Sequence, residues 1–98
     1  MAVINWTDEA LRWLKDIHGY IAQDNPSAAT AVTEDIFEKA QTLATYPHMG
    51  QRYKTEPEGD IRIILYGHYR IVYLIRENER IDILGVFHDA VDIERYFP

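Results

Sequence analysis

Cysteine is absent from the 98 residues, which excludes a disulfide framework, thiolate metal sites and a cysteine nucleophile. No apolar run approaches the roughly 18 residues of a membrane span, and the amino-terminal segment lacks the basic-then-apolar order of a secretion signal. The chain therefore reads as a soluble, cytoplasmic protein with no membrane association. Cations are scarce: 10 Lys and Arg stand against 16 Asp and Glu, a formal net charge of −6. That balance excludes a general nucleic-acid binder, whose affinity for phosphates rests on clustered positive charge. No phosphate-cradling glycine loop, HExxH pair or strand–turn–helix serine elbow occurs. The four histidines (His18, His48, His68 and His88) are isolated, without the two-His spacing that clamps a metal, so neither a metal nor a cofactor is expected.

What is present is ordinary globular composition, with 47% hydrophobic and 27% charged residues. The length predicts one domain over residues 1–98. Ordering such a chain costs on the order of 100–200 kcal/mol of conformational entropy, so nearly every apolar stretch must be buried. Charge is unevenly placed. Residues 1–50 hold three cations (Arg12, Lys15, Lys39), while residues 51–98 hold seven, six of them Arg. An anion-binding surface is expected in the second half.

Residues 2–6 read as a short first strand. Thr7 is a good N-cap for a helix whose apolar stripe is Ala10, Leu11, Leu14, Ile17 and Ile21. The helix should stop at Asp24-Asn25-Pro26, where Asn25 caps a second helix with Pro26 at its first position. That helix carries Ala29, Val32, Ile36, Phe37, Ala40, Leu43 and Ala44 and ends near Tyr46-Pro47. With so short a link the two form an αα-hairpin. Residues 47–59 read as a polar loop. Three strand-like runs follow, Asp60–Tyr66, Tyr69–Arg76 and Arg80–His88, joined by turns short enough for an antiparallel meander. The tail, Asp89–Pro98, has room for one helical turn. The fold class expected is α+β, an αα-hairpin on an antiparallel sheet of three or four strands.

Alternation along these runs assigns Ile61, Ile63, Leu65, Ile71, Tyr73, Ile75, Ile81, Ile83 and Phe87 to the face beneath the helices. It assigns Arg62, Ile64, Arg70, Val72, Leu74, Leu84, Val86 and His88 to the other. A solvated second face should be mostly polar. Here Val72, Leu74, Leu84 and Val86 make its middle apolar, so the tail, a second copy of the chain or a partner segment must cover it.

Four residues could carry chemistry: Arg62, Arg70, His88 and Tyr96. Two guanidiniums can hold a phosphodiester and stabilise its transition state, and a histidine titrating near neutrality can move a proton, which together would give metal-free RNA cleavage. The structural alternative pairs Arg62 and Arg70 with Asp82, Asp89 or Asp92 and leaves His88 to cap the tail. Trp6, Trp13 and Tyr20 read most simply as helix–sheet packing.

Several segments, taken in order, resemble the RelE/ParE superfamily of bacterial type II toxin–antitoxin (plasmid stabilisation) toxins. They are YIAQDNPSAA at 20–29, YPHMGQR at 46–52, Arg62, GHYRIVY at 67–73 and GVFHDAVDIERYF at 85–97. The resemblance covers essentially the whole chain and implies the strand, helical hairpin and meander order. It implies a cognate antitoxin as partner, bound on Val72, Leu74, Leu84 and Val86. It also implies one of two activities. RelE-like members are ribosome-dependent mRNA endonucleases, and Arg70 matches that pattern well, with His88 and Tyr96 near its other positions. The lysines of that pattern would fall near Ile61 and Ile63, where this sequence has none. ParE-like members inhibit DNA gyrase, and the YIAQDNP and PHMG segments resemble that side, which is the one expected here. A module that only binds antitoxin, or a non-toxic homodimer, are the remaining alternatives.

Overall fold

The computed structural model describes residues 1–98. The chain runs as β1 (Val3–Trp6), α1 (Asp8–Ala22), α2 (Pro26–Gln41), a 3-10 turn at Thr42–Ala44, β2 (Gln51–Glu56), β3 (Gly59–Tyr66), β4 (Tyr69–Arg76), β5 (Arg80–His88) and a 3-10 turn at Ile93–Arg95. Both helix starts follow from their caps. The Thr7 hydroxyl accepts from the Ala10 N–H at 3.1 Å and donates to the Ile83 carbonyl at 2.7 Å, tying the start of α1 to β5. The Asn25 side chain accepts from the Ala28 N–H at 3.1 Å, and Pro26 supplies its fixed φ to the first turn of α2.

The sheet differs from the expected meander in two ways. It has five strands in the order β1-β5-β4-β3-β2, and β1 lies parallel to β5 while every other pair is antiparallel. Residues 51–56, expected within a loop, form the edge strand β2. The segment QRYKTE has no apolar alternation, because its place at the edge is set by backbone pairing with β3. A bulge at Tyr53, between Arg52 and Lys54, bends it.

The assignment of side chains to faces is also corrected. The two-residue turn Gly67-His68 pairs Tyr66 with Tyr69 and Ile64 with Ile71, so Arg62 and Ile64 share the helix side with Ile71 and Tyr73. Ile61 and Ile63 lie on the opposite side with Val72 and Leu74. In β5, Leu84 is an extra residue between the Gly85 and Ile83 pairings, which sends Val86 and His88 to the helix side and Phe87 to the other.

Two apolar layers result. Ala10, Ile36, Ala40 and Leu43 pack on Ile64, Ile71, Tyr73, Ile81, Ile83 and Val86. On the other side Ile61, Val72, Leu74 and Phe87 are covered by Ile93, with Trp13, Tyr53 and Phe97 around them. The chain's own tail thus covers the second face. The Tyr53 hydroxyl donates to the Phe97 carbonyl at 2.9 Å, and the Lys54 ammonium donates to the Pro98 carbonyl. Trp13 lies against Phe87, with ring centroids 4.5 Å apart, and meets Tyr96 edge-on at 5.3 Å. Trp6 stacks on Phe37 at 5.8 Å.

One buried carboxylate pins three strands. Asp82 receives Asn5 Nδ2 at 3.0 Å, Arg76 Nε at 2.6 Å and Arg80 Nε at 3.0 Å. Its burial by itself would raise its pKa. Hydrogen bonds from Arg76, Asn5 and Arg80 outweigh that and hold the carboxyl below the usual aspartate value. A group depressed in the folded state contributes stability above its unfolded pKa, near ~3.9, and loses it as pH falls through the folded value. Acid titration of stability is therefore expected to be shallower below about pH 4 in Asp82→Asn than in the parent. Urea midpoints taken across that range check this, and parallel curves would remove Asp82 from the acid response.

Candidate functional site

The four residues singled out for chemistry do not converge. Arg62 lies on the helix side with its side chain 14% exposed. Its guanidinium donates to the Gly50 carbonyl at 2.7 Å and the His48 carbonyl at 3.3 Å, and stands 4.0 Å from the Asp60 carboxylate. Arg70 projects from the opposite face and donates to the Asp89 carbonyl at 3.3 Å and to the Val91 carbonyl, which fixes the start of the tail. Each guanidinium thus holds backbone oxygens through one terminal nitrogen, on opposite sides of one sheet, while both Nε–H groups are buried without a partner.

His88 ends β5 on the helix side, edge-on to Tyr69 with centroids 5.6 Å apart. Its Nδ1 lies 3.1 Å from the Ala90 N–H, capping the first turn of the tail. Asp89 places one carboxylate oxygen 3.1 Å from this nitrogen and the other 3.4 Å from His68 Nδ1. Tyr96 stacks on Phe87 at 5.3 Å and serves packing.

The residues expected to form an open antitoxin face are distributed differently too. Val72 and Leu74 are buried beneath the tail, and Val86 is buried among the helices. Leu84 is half-buried at the bulge. Only Val86 left the expected face, because alternation was carried through β5 without the extra residue, while Val72 and Leu74 stay on it beneath the chain's own tail.

A different feature is well built. The loop from Tyr46 to Gly50 is held from below by two side chains. The Tyr73 hydroxyl donates to the Pro47 carbonyl at 2.9 Å and accepts the Gly50 N–H at 2.9 Å, while Arg62 serves the His48 and Gly50 carbonyls. Burial pushes the Tyr73 phenol pKa up, although the Gly50 hydrogen bond and the Arg62 charge act in the other direction. Gly50 is required by close approach: a Cβ there would stand 2.6 Å from the Tyr73 hydroxyl and 2.8 Å from the Ile63 carbonyl. Beside this loop, at the end of β3, a cleft of about 510 Å³ is lined by Lys39, Met49, Gln51, Arg52, Leu65 and Arg70 among others. Of these only Arg70 was singled out individually from the sequence. PHMG marked the loop, and no local pattern marked Lys39 or Leu65.

The ParE toxin of the type II toxin–antitoxin system parDE matches residues 4–93. A protein named provisionally as a toxin, Y4kP of Sinorhizobium fredii, is 34% identical over 85 residues, spanning 87% of this chain and 85% of its own. The chain belongs to the ParE toxin family of type II toxin–antitoxin systems. Among solved structures, a chain from the chromosomal ParDE system of P. aeruginosa superposes with a TM-score of 0.70 at 21% identity, covering 90% of this chain and 96% of that one. A chain of the RelBE2 toxin–antitoxin complex of Mycobacterium tuberculosis gives 0.59 at 26% identity, covering 89% and 96%.

Proposed function

We propose that this chain, acting as one domain in the cytoplasm, arrests growth by inhibiting DNA gyrase and is neutralised by a cognate antitoxin. The observation that carries the choice of target is the separation of Arg62 from Arg70. RNA cleavage needs a base, an acid and charge stabilisation around one phosphate. Here the two guanidiniums face opposite ways, each holding backbone carbonyls through one terminal nitrogen, and Tyr96 is stacked on Phe87. A net charge of −6 also opposes approach to an RNA-lined site, whereas a protein target can be held through shape and apolar anchors. No helix is long and apolar enough to cross a membrane.

Induced expression without antitoxin is expected to stop growth with filamentous cells and DNA-damage signalling. The purified chain is expected to inhibit supercoiling by gyrase while leaving ribosome-bound mRNA intact. Cleavage of mRNA at the ribosomal A site with gyrase untouched would overturn this reading, and Arg70 and His88 would become the charge clamp and the acid.

A further inference from the structure

We propose that the cleft at the end of β3, with the loop Tyr46–Gly50 beside it, is the surface that grips the growth-arrest target, and that it takes an acidic segment of a protein carrying an apolar anchor. The inference rests on the toxin reading but not on which protein the target is. Four observations meet at this place. β2 pairs with β3 only as far as Gln51 opposite Ile63, whereas β3 and β4 continue together to Tyr66 and Tyr69. The last turn-ward residues of β3 therefore have no strand beside them, and the cleft opens there.

The lining carries one sign of charge. Lys39, Arg52 and Arg70 line it and no carboxylate does, in a chain whose net charge is −6. Arg52 is paired with Asp60 at 3.3 Å, whereas Arg70 donates only to neutral tail carbonyls and the Lys39 ammonium has no ion-pair partner. Two cations without a carboxylate partner suit one or two carboxylates rather than a run of phosphates, whose binding needs several. The same place leaves large apolar side chains in water: Leu65 is 65% exposed, Tyr46 62% and Met49 44%. Aromatic, aliphatic and cationic groups side by side are the composition of a protein–protein hot spot.

The fourth observation is rigidity. Tyr73 and Arg62 hold the Pro47, His48 and Gly50 backbone from beneath, so the loop presents Tyr46 and Met49 already ordered and binding costs it little conformational entropy. Arg62 thereby has a role as a positioning residue, acting through the loop.

The test compares Leu65→Glu and Lys39→Glu with Val3→Glu, a control on exposed β1 far from the cleft in the sheet order. Each is expressed without antitoxin, and the purified chain is melted and assayed against gyrase. The cleft variants are expected to melt within a few degrees of the parent and to need about tenfold or more protein for the same growth arrest, a loss typical of a hot-spot contact. Lys39→Arg should retain activity, and Val3→Glu should match the parent. Should Leu65→Glu melt early, Leu65→Ser and Lys39→Gln carry the same comparison. Cleft variants that melt normally and arrest growth like the parent overturn the proposal. Retained arrest with lost antitoxin neutralisation overturns it in favour of an antitoxin surface. Salt-sensitive binding of single-stranded RNA, abolished by Lys39→Glu but not by Leu65→Glu, overturns it in favour of RNA. A parent that arrests growth without inhibiting gyrase defeats the gyrase reading alone, because the growth comparison still judges the cleft.

Discussion

Leu74→Asp is expected to unfold the protein or lower its melting temperature by on the order of 20 °C. Leu74 is 5% exposed and packs with Ile61, Val72, Phe87 and Ile93 beneath the tail. Removing a buried leucine side chain costs about 2–5 kcal/mol. Placing an unpaired carboxylate there adds several more, unless the group takes up a proton. A domain of this size has only about 5–15 kcal/mol to lose. Leu65→Asp, on the same face but 65% exposed, should stay within about 0.5 kcal/mol of the parent. Thermal and urea melts of the two variants give the contrast directly. A Leu74→Asp protein that kept the parental midpoint and lost only antitoxin binding would restore the docking role that alternation suggested for this face.

Removal of Ile93–Pro98 should have an effect of similar size by a different route. Ile93 is buried, and Phe97 packs beside it over Val72, Leu74 and Phe87. Without these residues the second apolar layer faces water, and the Tyr53 hydroxyl loses the Phe97 carbonyl. The loss of buried apolar packing alone is worth on the order of 4 kcal/mol. The shortened chain is expected to have a much lower urea midpoint, to bind hydrophobic dye and to aggregate near room temperature. A midpoint equal to the parent's would mean that the tail is an ornament on a sheet stable by itself. Arg70→Ala should move the midpoint in the same direction by less, since Val91 and Ile93 keep their apolar contacts when the guanidinium is lost.

These two outcomes depend on which side chains share a face, where sequence and structure part. The helix caps at Thr7 and Asn25 were legible because each is a local hydrogen bond between neighbours. The β3 to β5 ranges were legible from their β-branched runs. β2 was not, because five of its six residues are polar or charged and the one aromatic, Tyr53, sits at the bulge, so no alternation marks the strand. The face of β3 was within reach: a two-residue turn at Gly67-His68 dictates that Ile64 opposes Ile71, and Gly67 adopts the positive φ of 56° that such a turn asks for. The bulge at Leu84 was not, since nothing in RIDILGVFH other than Gly85 distinguishes a strand with an extra residue from a regular one. The candidate site followed the same division. Arg70 and the P-x-x-G loop were visible as local patterns. The pinning of that loop by Tyr73 and Arg62 is a contact across 23 positions for Tyr73 and Gly50, which no local pattern encodes.

The parallel pairing of β1 with β5 has a consequence for when the protein exists at all. Asn5 and Asp82, joined by a hydrogen bond, stand 77 positions apart. Contacts so distant in sequence form late, because the loop between them must close first. During synthesis β1 emerges with no strand to pair with until β5 has left the ribosome. Sheet closure therefore acts as a clock set by translation: a nascent or prematurely ended chain that lacks β5 lacks the strand on which β1 closes the sheet.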